Sequence, residues 1–429
     1  MTDLSLPQLH KQLRSLEKGN CDRIKAIQGS IRAHLPDVNT VRALPHKKTP
    51  SGRTRVLHMN YMRSQTDSSG MIELDYLRFF AKTIQTLGIR LEIVTDKDCR
   101  EEILEEFSQD SYRTLDYGLS ITQNPVSKWA EDSVEYLEDG QMAVLQTFDN
   151  ELLEWAMTTG RRERWQGKVT PEQLEEILRD DHLWIVLGVR VNELETGLEL
   201  AQTARAKGEY VGHIRAYIEG GNMITGEDAA GKSITLVGKD AISTTAHLYQ
   251  LSNDDVRQII AEDFGLDTIE SVICVEQPGK FHLDMGLLFV GNGMVIVNDS
   301  SAALADALEM AELVPSLTAQ TMVIKRELQC RLENDAARDL QLAGLDVRRE
   351  TLENDVFYNF FNGEFVEGAD GHTYYITNGG LKEQEDALED LLVKELGVVE
   401  KIFFTPQALA QKSLQEQGGV GCRLKGVGA

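Results

Sequence analysis

Paired cysteines are missing from this 429-residue sequence: Cys21, Cys99, Cys274, Cys330 and Cys422 are odd in number, widely spaced and form no C-x-x-C pair. That pattern excludes a disulfide framework and the usual zinc motifs, and it fits a reducing compartment. Long apolar runs are missing as well, none reaching the roughly eighteen residues of a membrane span. The opening Met1-Thr2-Asp3-Leu4 begins no basic-then-apolar leader, so a cytoplasmic protein without membrane association is expected. There is no Lys/Arg block either: 44 basic residues against 69 acidic ones give a net charge of -25. Phosphate backbones need a basic stripe, so a nucleic-acid partner is excluded and a cationic one suits the field.

What is present reads as an ordinary globular chain, 41% hydrophobic and 26% charged. Residues 1–50 stand apart. Leu6 to Leu16 and Ile24 to Leu35 carry apolar residues at helical spacing, and Pro36, Pro45 and Pro50 then interrupt them. A helical N-terminal extension over 1–50 is expected, packing on the main domain of 51–429 or pairing copies in a homo-oligomer. From Arg53 onward strand-like and helix-like runs alternate. Strands are predicted over Arg55 to Tyr61, Arg90 to Val94, Met142 to Thr147, Leu183 to Val189, Ser271 to Val275, Gly286 to Val297 and Lys401 to Phe404. Helices are predicted over Glu73 to Leu87, Pro171 to Arg179, Val191 to Ala206, Asn253 to Phe264, Ala302 to Leu313, Leu317 to Leu342 and Leu381 to Leu396. The alternation indicates an α/β fold, and turns such as Gly291-Asn292-Gly293 indicate hairpins and mixed sheets. No internal repeat stands out.

Gly226-Glu227-Asp228-Ala229-Ala230-Gly231-Lys232-Ser233 matches the P-loop expression letter for letter. A phosphate cradle needs a helix after the loop, whereas Ile234-Thr235-Leu236-Val237 is strand-like and two acids inside the loop repel phosphate. A hairpin turn is the better reading. Four other segments are polar and lie at the edges of apolar runs: Trp129-Ala130-Glu131-Asp132, Glu219-Gly220-Gly221-Asn222, Phe281-His282-Leu283-Asp284 and Gly418-Gly419-Val420-Gly421-Cys422. Each alone has a bland explanation, such as a buried indole, a tight turn, a satisfied histidine or a small buried thiol. Together they supply carboxylates for a flat cation, an imidazole for protons and a thiol for attack. A guanidinium offers a planar fork of donors that carboxylates bind in pairs, and its weakly electrophilic carbon calls for a strong nucleophile.

In order and content these motifs resemble those of the guanidine-modifying, or pentein, superfamily of deiminases and amidinotransferases. The resemblance runs from about Arg53 to the C-terminus. It implies a five-bladed α/β propeller with pseudo-fivefold symmetry and a central site, working without metal or cofactor on a cationic guanidino substrate. By the same resemblance Cys422 is the nucleophile, His282 the acid and base, and Glu219 the carboxylate orienting it. Asp132 and Asp284 are the guanidinium clamp, and Trp129 and Asn222 complete the substrate-binding set. The implied reaction is hydrolysis of an arginine-like guanidino group to a ureido product and ammonia. Amidino transfer to an amine, or guanidinium binding without catalysis, are the alternatives. The sequence departs from the pattern at Glu131, where free-arginine deiminases usually carry a basic residue, and at Val420-Gly421, where larger residues are often found. Val134-Glu135-Tyr136 is similar to peptidyl-arginine deiminases, so peptide arginine stays open as a substrate. For the carboxylate of a free amino acid, Arg215 and Arg423 are candidates that fall on no motif position.

Overall fold

A computed structural model describes residues 43–63, 70–144, 150–178, 181–209, 211–279, 282–352, 358–416 and 418–428, with positions 8 and 12. The extension expected before residue 43 therefore lies outside the described residues, those two positions apart. Residues 43–50 are bound into the body. Pro45 bridges Leu137, the His46 amide donates to the Tyr136 carbonyl at 2.8 Å, and the Lys48 amide donates to the Thr225 carbonyl at 3.0 Å.

In chain order the strands are β1 (Val56–Tyr61), β2 (Arg90–Asp96), β3 (Asp116–Thr122), β4 (Val134–Tyr136), β5 (Met142–Val144), β6 (Val211–His213), β7 (Met223–Glu227) and β8 (Ser233–Gly238). They continue with β9 (Val272–Val275), β10 (Leu287–Gly291), β11 (Met294–Asn298), β12 (Asp346–Glu350), β13 (Gly363–Glu367), β14 (Thr373–Thr377), β15 (Lys401–Phe404) and β16 (Leu424–Val427). Among the described residues they form five sheets, β16-β1-β2-β3, β4-β5-β6, β7-β8-β9, β10-β11-β12 and β13-β14-β15. Every sheet repeats one plan, an antiparallel pair whose second strand takes a parallel neighbour. Parallel neighbours need a crossover, and in each of the five sheets a helix lies within it.

The helices follow the apolar spacing. In Gly70–Leu87, Tyr76, Leu77, Phe80, Ala81 and Ile84 share one face and are fully buried against Leu57, Leu91 and Ile93 of β1 and β2. Burying each large side chain contributes roughly 1.5–3 kcal/mol. Ser252 and Asp255 form a capping box that starts Asn253–Asp263. The P-loop look-alike is the β7–β8 hairpin turn, with Asp228 and Lys232 closing it by backbone bonds. One strand prediction fails: Leu183 to Val189 belongs to the helix Asp181–Ala206. A seven-residue apolar run has no period of its own to distinguish strand from helix, and the helical pattern continuing through Val191 to Ala206 decides it. No described helix is long and apolar enough to cross a membrane.

Candidate active site

Five short polar segments, each leading into the first strand of a sheet, deliver the candidate residues. Ala130–Asp132 leads into β4, Gly220–Asn222 into β7, Leu283–Met285 into β10, Asn359 to Asn362 into β13, and Val420–Arg423 into β16. Close approach fixes two glycines here. A Cβ on Gly418 would lie 2.3 Å from the Trp129 ring, and one on Gly221 would lie 2.5 Å from Nδ1 of His282 and 2.8 Å from Oδ1 of Asp284. Only glycine lets these segments pass one another.

Cys422 is 4% exposed and packs with Trp129, Met285 and Leu414. Its amide donates to Oδ1 of Asn362 at 3.2 Å. Nδ2 of the same asparagine stands 3.3 Å from the Cys422 Sγ and donates to Oδ2 of Asp284 at 2.7 Å. Asn362 thus joins the thiol to the Asp284 carboxylate. His282 and Glu219 pair at 2.9 Å between Nε2 and Oε2, and the Tyr217 hydroxyl donates to the other Glu219 oxygen at 2.8 Å. Burial works to lower the His282 pKa, but the Glu219 hydrogen bond and the charges of Asp132, Glu219 and Asp284 outweigh it and raise it to about 9. Burial, then Asp284, Glu131 and Asp132, pushes the Cys422 thiol well above its usual value, against the Gly419 amide. Asp132, itself buried, therefore acts electrostatically on both the imidazole and the sulfur. Asn222 leans on Gly238 of β8, and its Oδ1 is buried without a hydrogen-bond partner.

A 790 Å³ cavity lies elsewhere, lined by Arg164, Trp165, Lys239, His247, Glu276 and Arg331, and none of the candidates borders it. Arg164 there is held by Asp240 and Glu276, and Lys239 by Asp339. The convergent acids, imidazole and thiol therefore mark the site better than volume does.

No family profile matches the sequence, and no curated protein does. Among solved structures, a structural-genomics target assigned as an agmatine deiminase superposes with a TM-score of 0.57 at 12% identity, covering 90% of this chain and 96% of its own. The chain shares the fold of that solved structure. The N-terminal domain of a variant of ArgZ, covalently bound to a reaction intermediate, gives 0.37 at 11% identity over 86% of this chain and 96% of that one. The arginine dihydrolase ArgZ of cyanobacteria gives 0.32 at 10%, over 86% and 38%.

The structure adds residues that the sequence did not single out. Asn362 is one and Lys48 another. The Lys48 ammonium bonds Glu131 and lies 3.1 Å from Oδ2 of Asp284. Burial opposes its charge, yet Glu131, Asp284 and Glu364 raise its pKa well above the ordinary value. Glu131 is pushed up to about 7 by burial and by Asp284, against Lys48 and Lys425. Lys48 thus brings a positive charge to Glu131, one of the two places where the sequence departs from the expected motif pattern. Donor atoms of Glu131, Asp284 and Cys422 lie within 4.8 Å of one another, a spacing a metal ion can use, but Lys48 already bonds both carboxylates. The two arginines considered for a substrate carboxylate are committed elsewhere, which corrects that expectation. Arg215 pairs with Asp263 at 2.6 Å and Glu262 at 2.9 Å. Arg423 is buried, bonded to Glu73 and stacked on Tyr76 at 4.1 Å.

Proposed function

We propose that the protein is a deiminase that hydrolyses the guanidino group of an arginine-like substrate, with its five sheets closing as propeller blades around Cys422. The observation that carries this reading is the Asn362 amide shared between the Cys422 sulfur and the Asp284 carboxylate. It joins the proposed nucleophile to the proposed clamp in one buried place. A structural relative assigned as an agmatine deiminase agrees with guanidine chemistry.

In this mechanism Asp132 and Asp284 receive the guanidinium. Its positive charge offsets the acids that hold the thiol protonated, so substrate binding itself favours the thiolate. The thiol proton passes to solvent, and the thiolate sulfur bonds to the guanidinium carbon. His282, protonated through its Glu219 partner, gives its proton to the departing nitrogen, and ammonia leaves with the C–N bond. The neutral imidazole then takes a proton from water, whose oxygen attacks the amidino-thioether carbon. The C–S bond breaks, and the ureido product departs as the thiol is restored. Two steps of moderate height replace one that water alone performs very slowly.

Incubation with arginine, agmatine and an arginine peptide, followed by assay of ureido product and ammonia in equal amounts, tests the reading. Cys422→Ser is expected to fold and to lose turnover, whereas Cys330→Ser, on a half-buried helical position, keeps it. Turnover undiminished in Cys422→Ser, or amidino transfer to an added amine without ureido product, overturns it.

A further inference from the structure

The placement of Lys48 is built into the fold. Its backbone is pinned from two sheets: the preceding segment bonds Tyr136 at the end of β4, and its own amide bonds Thr225 of β7. The neighbouring Thr49 is buried, and Lys47 pairs separately with Glu227 at 3.2 Å. The Lys48 side chain is only 12% exposed. Desolvating a lysine costs several kcal/mol unless carboxylates compensate, so an ammonium in this place needs both Glu131 and Asp284.

Its partners divide the Asp284 carboxylate. Oδ2 receives Lys48 and Asn362, while Oδ1 is buried without a hydrogen-bond partner and lies over Gly221 beside Nδ1 of His282. One oxygen is committed to the protein and one is left for a cation. We propose that Lys48 is a positioning residue for the reaction at Cys422: held between Glu131 and Asp284, its ammonium offsets the acid charge beside the sulfur and reserves Oδ1 of Asp284 for the substrate. The inference rests on the guanidine-modifying reading of the site.

The charges around it are mixed. Asp284, Glu131, Asp132 and Tyr76 act on Cys422, and Glu131, Asp284, Glu364, Glu135, Tyr375 and Lys425 act on Lys48. Removing the ammonium leaves acids facing the sulfur, which disfavours the thiolate. Removing Glu131 does the opposite.

The test is alkylation of Cys422 by neutral chloroacetamide at about pH 9, followed on its peptide by mass spectrometry in the full-length protein. Lys48→Met is expected to slow alkylation about tenfold, Glu131→Gln to accelerate it, and the double variant to return near the wild-type rate. A lysine that merely braced the fold would, when removed, expose the thiol and accelerate alkylation. Lys48→Met that is unchanged or faster therefore overturns the proposal. If Lys48→Met fails to fold, Glu131→Gln decides alone: acceleration supports the proposal and an unchanged or slower rate sinks it. These rates need no substrate. A wild-type protein without turnover whose alkylation follows the pattern loses the deiminase reading and keeps the charge arrangement.

Discussion

His282 keeps its proton far above neutrality because Glu219 holds it at 2.9 Å and three acids surround it, so its charge is set by partners the substrate does not provide. The Cys422 thiol is also held protonated. The proposed reaction needs one proton on the imidazole and none on the sulfur, so kcat/KM should rise through neutral pH and peak near or above pH 9, where the histidine titrates. Glu219→Gln removes the main favourable partner while burial remains, lowering the His282 pKa and moving the optimum to more acid pH. Profiles of kcat/KM against pH for the two proteins check this, and coincident profiles would deny Glu219 its role. His282, Glu219, Asp284 and Cys422 were legible in the sequence because each sits in a short motif with glycine or a second polar group beside it. Lys48 was not, since Lys47-Lys48 reads as solvated charge and its partners lie 83 and 236 residues away. Asn362, between Phe361 and Gly363, looks like any turn asparagine until Asp284 and Cys422 are placed against it.

At the level of elements, short polar segments matter more than helices. Glu219-Gly220-Gly221-Asn222 carries both a catalytic candidate and the space in which two others stand. Gly221→Ala would place a Cβ 2.5 Å from one and 2.8 Å from the other. Neither side chain is free to yield, since His282 is tied to Glu219 and Asp284 to Lys48 and Asn362. The substitution should therefore cost about a hundredfold in kcat, as expected for displaced reacting groups, and roughly 1–3 kcal/mol in stability. Gly160→Ala, whose nearest foreign atom would be 3.9 Å away on a helix, is the control expected to leave both unchanged or improved. Kinetics and thermal melts of the two variants decide. The helices were legible where apolar spacing was regular, as in Leu317–Leu342. Strands such as Asp346–Glu350 were not, because Asp346-Val347-Arg348-Arg349-Glu350 is mostly charged and owes its conformation to pairing with β11.

Over the whole molecule one plan recurs: a polar segment, an antiparallel pair, a parallel strand. Asp132, Asn222, Asp284, Asn362 and Cys422 each stand one to three residues before the first strand of a sheet. The repeat escaped the sequence because what is repeated is a position relative to strands; the residues there differ, and the intervals between them are filled by helices of unequal length. A shared position brings unlike side chains from distant segments together, a thiol, an imidazole and several acids among them. The same assembly gathers negative charge beyond the site. With a net charge of -25, the chain attracts cations from a distance, and raising ionic strength shortens the reach of that field. Taking salt from roughly 10 mM to 150 mM contracts the screening length from about 30 Å to 8 Å. For a guanidinium substrate kcat/KM should then fall several-fold while kcat holds, because contacts inside the closed site are buried and little screened. A compensating carboxylate on the substrate should weaken the effect, so agmatine should lose more than free arginine. Equal losses for the two, or a loss carried by kcat, would show that the charge of the molecule does not guide its substrate.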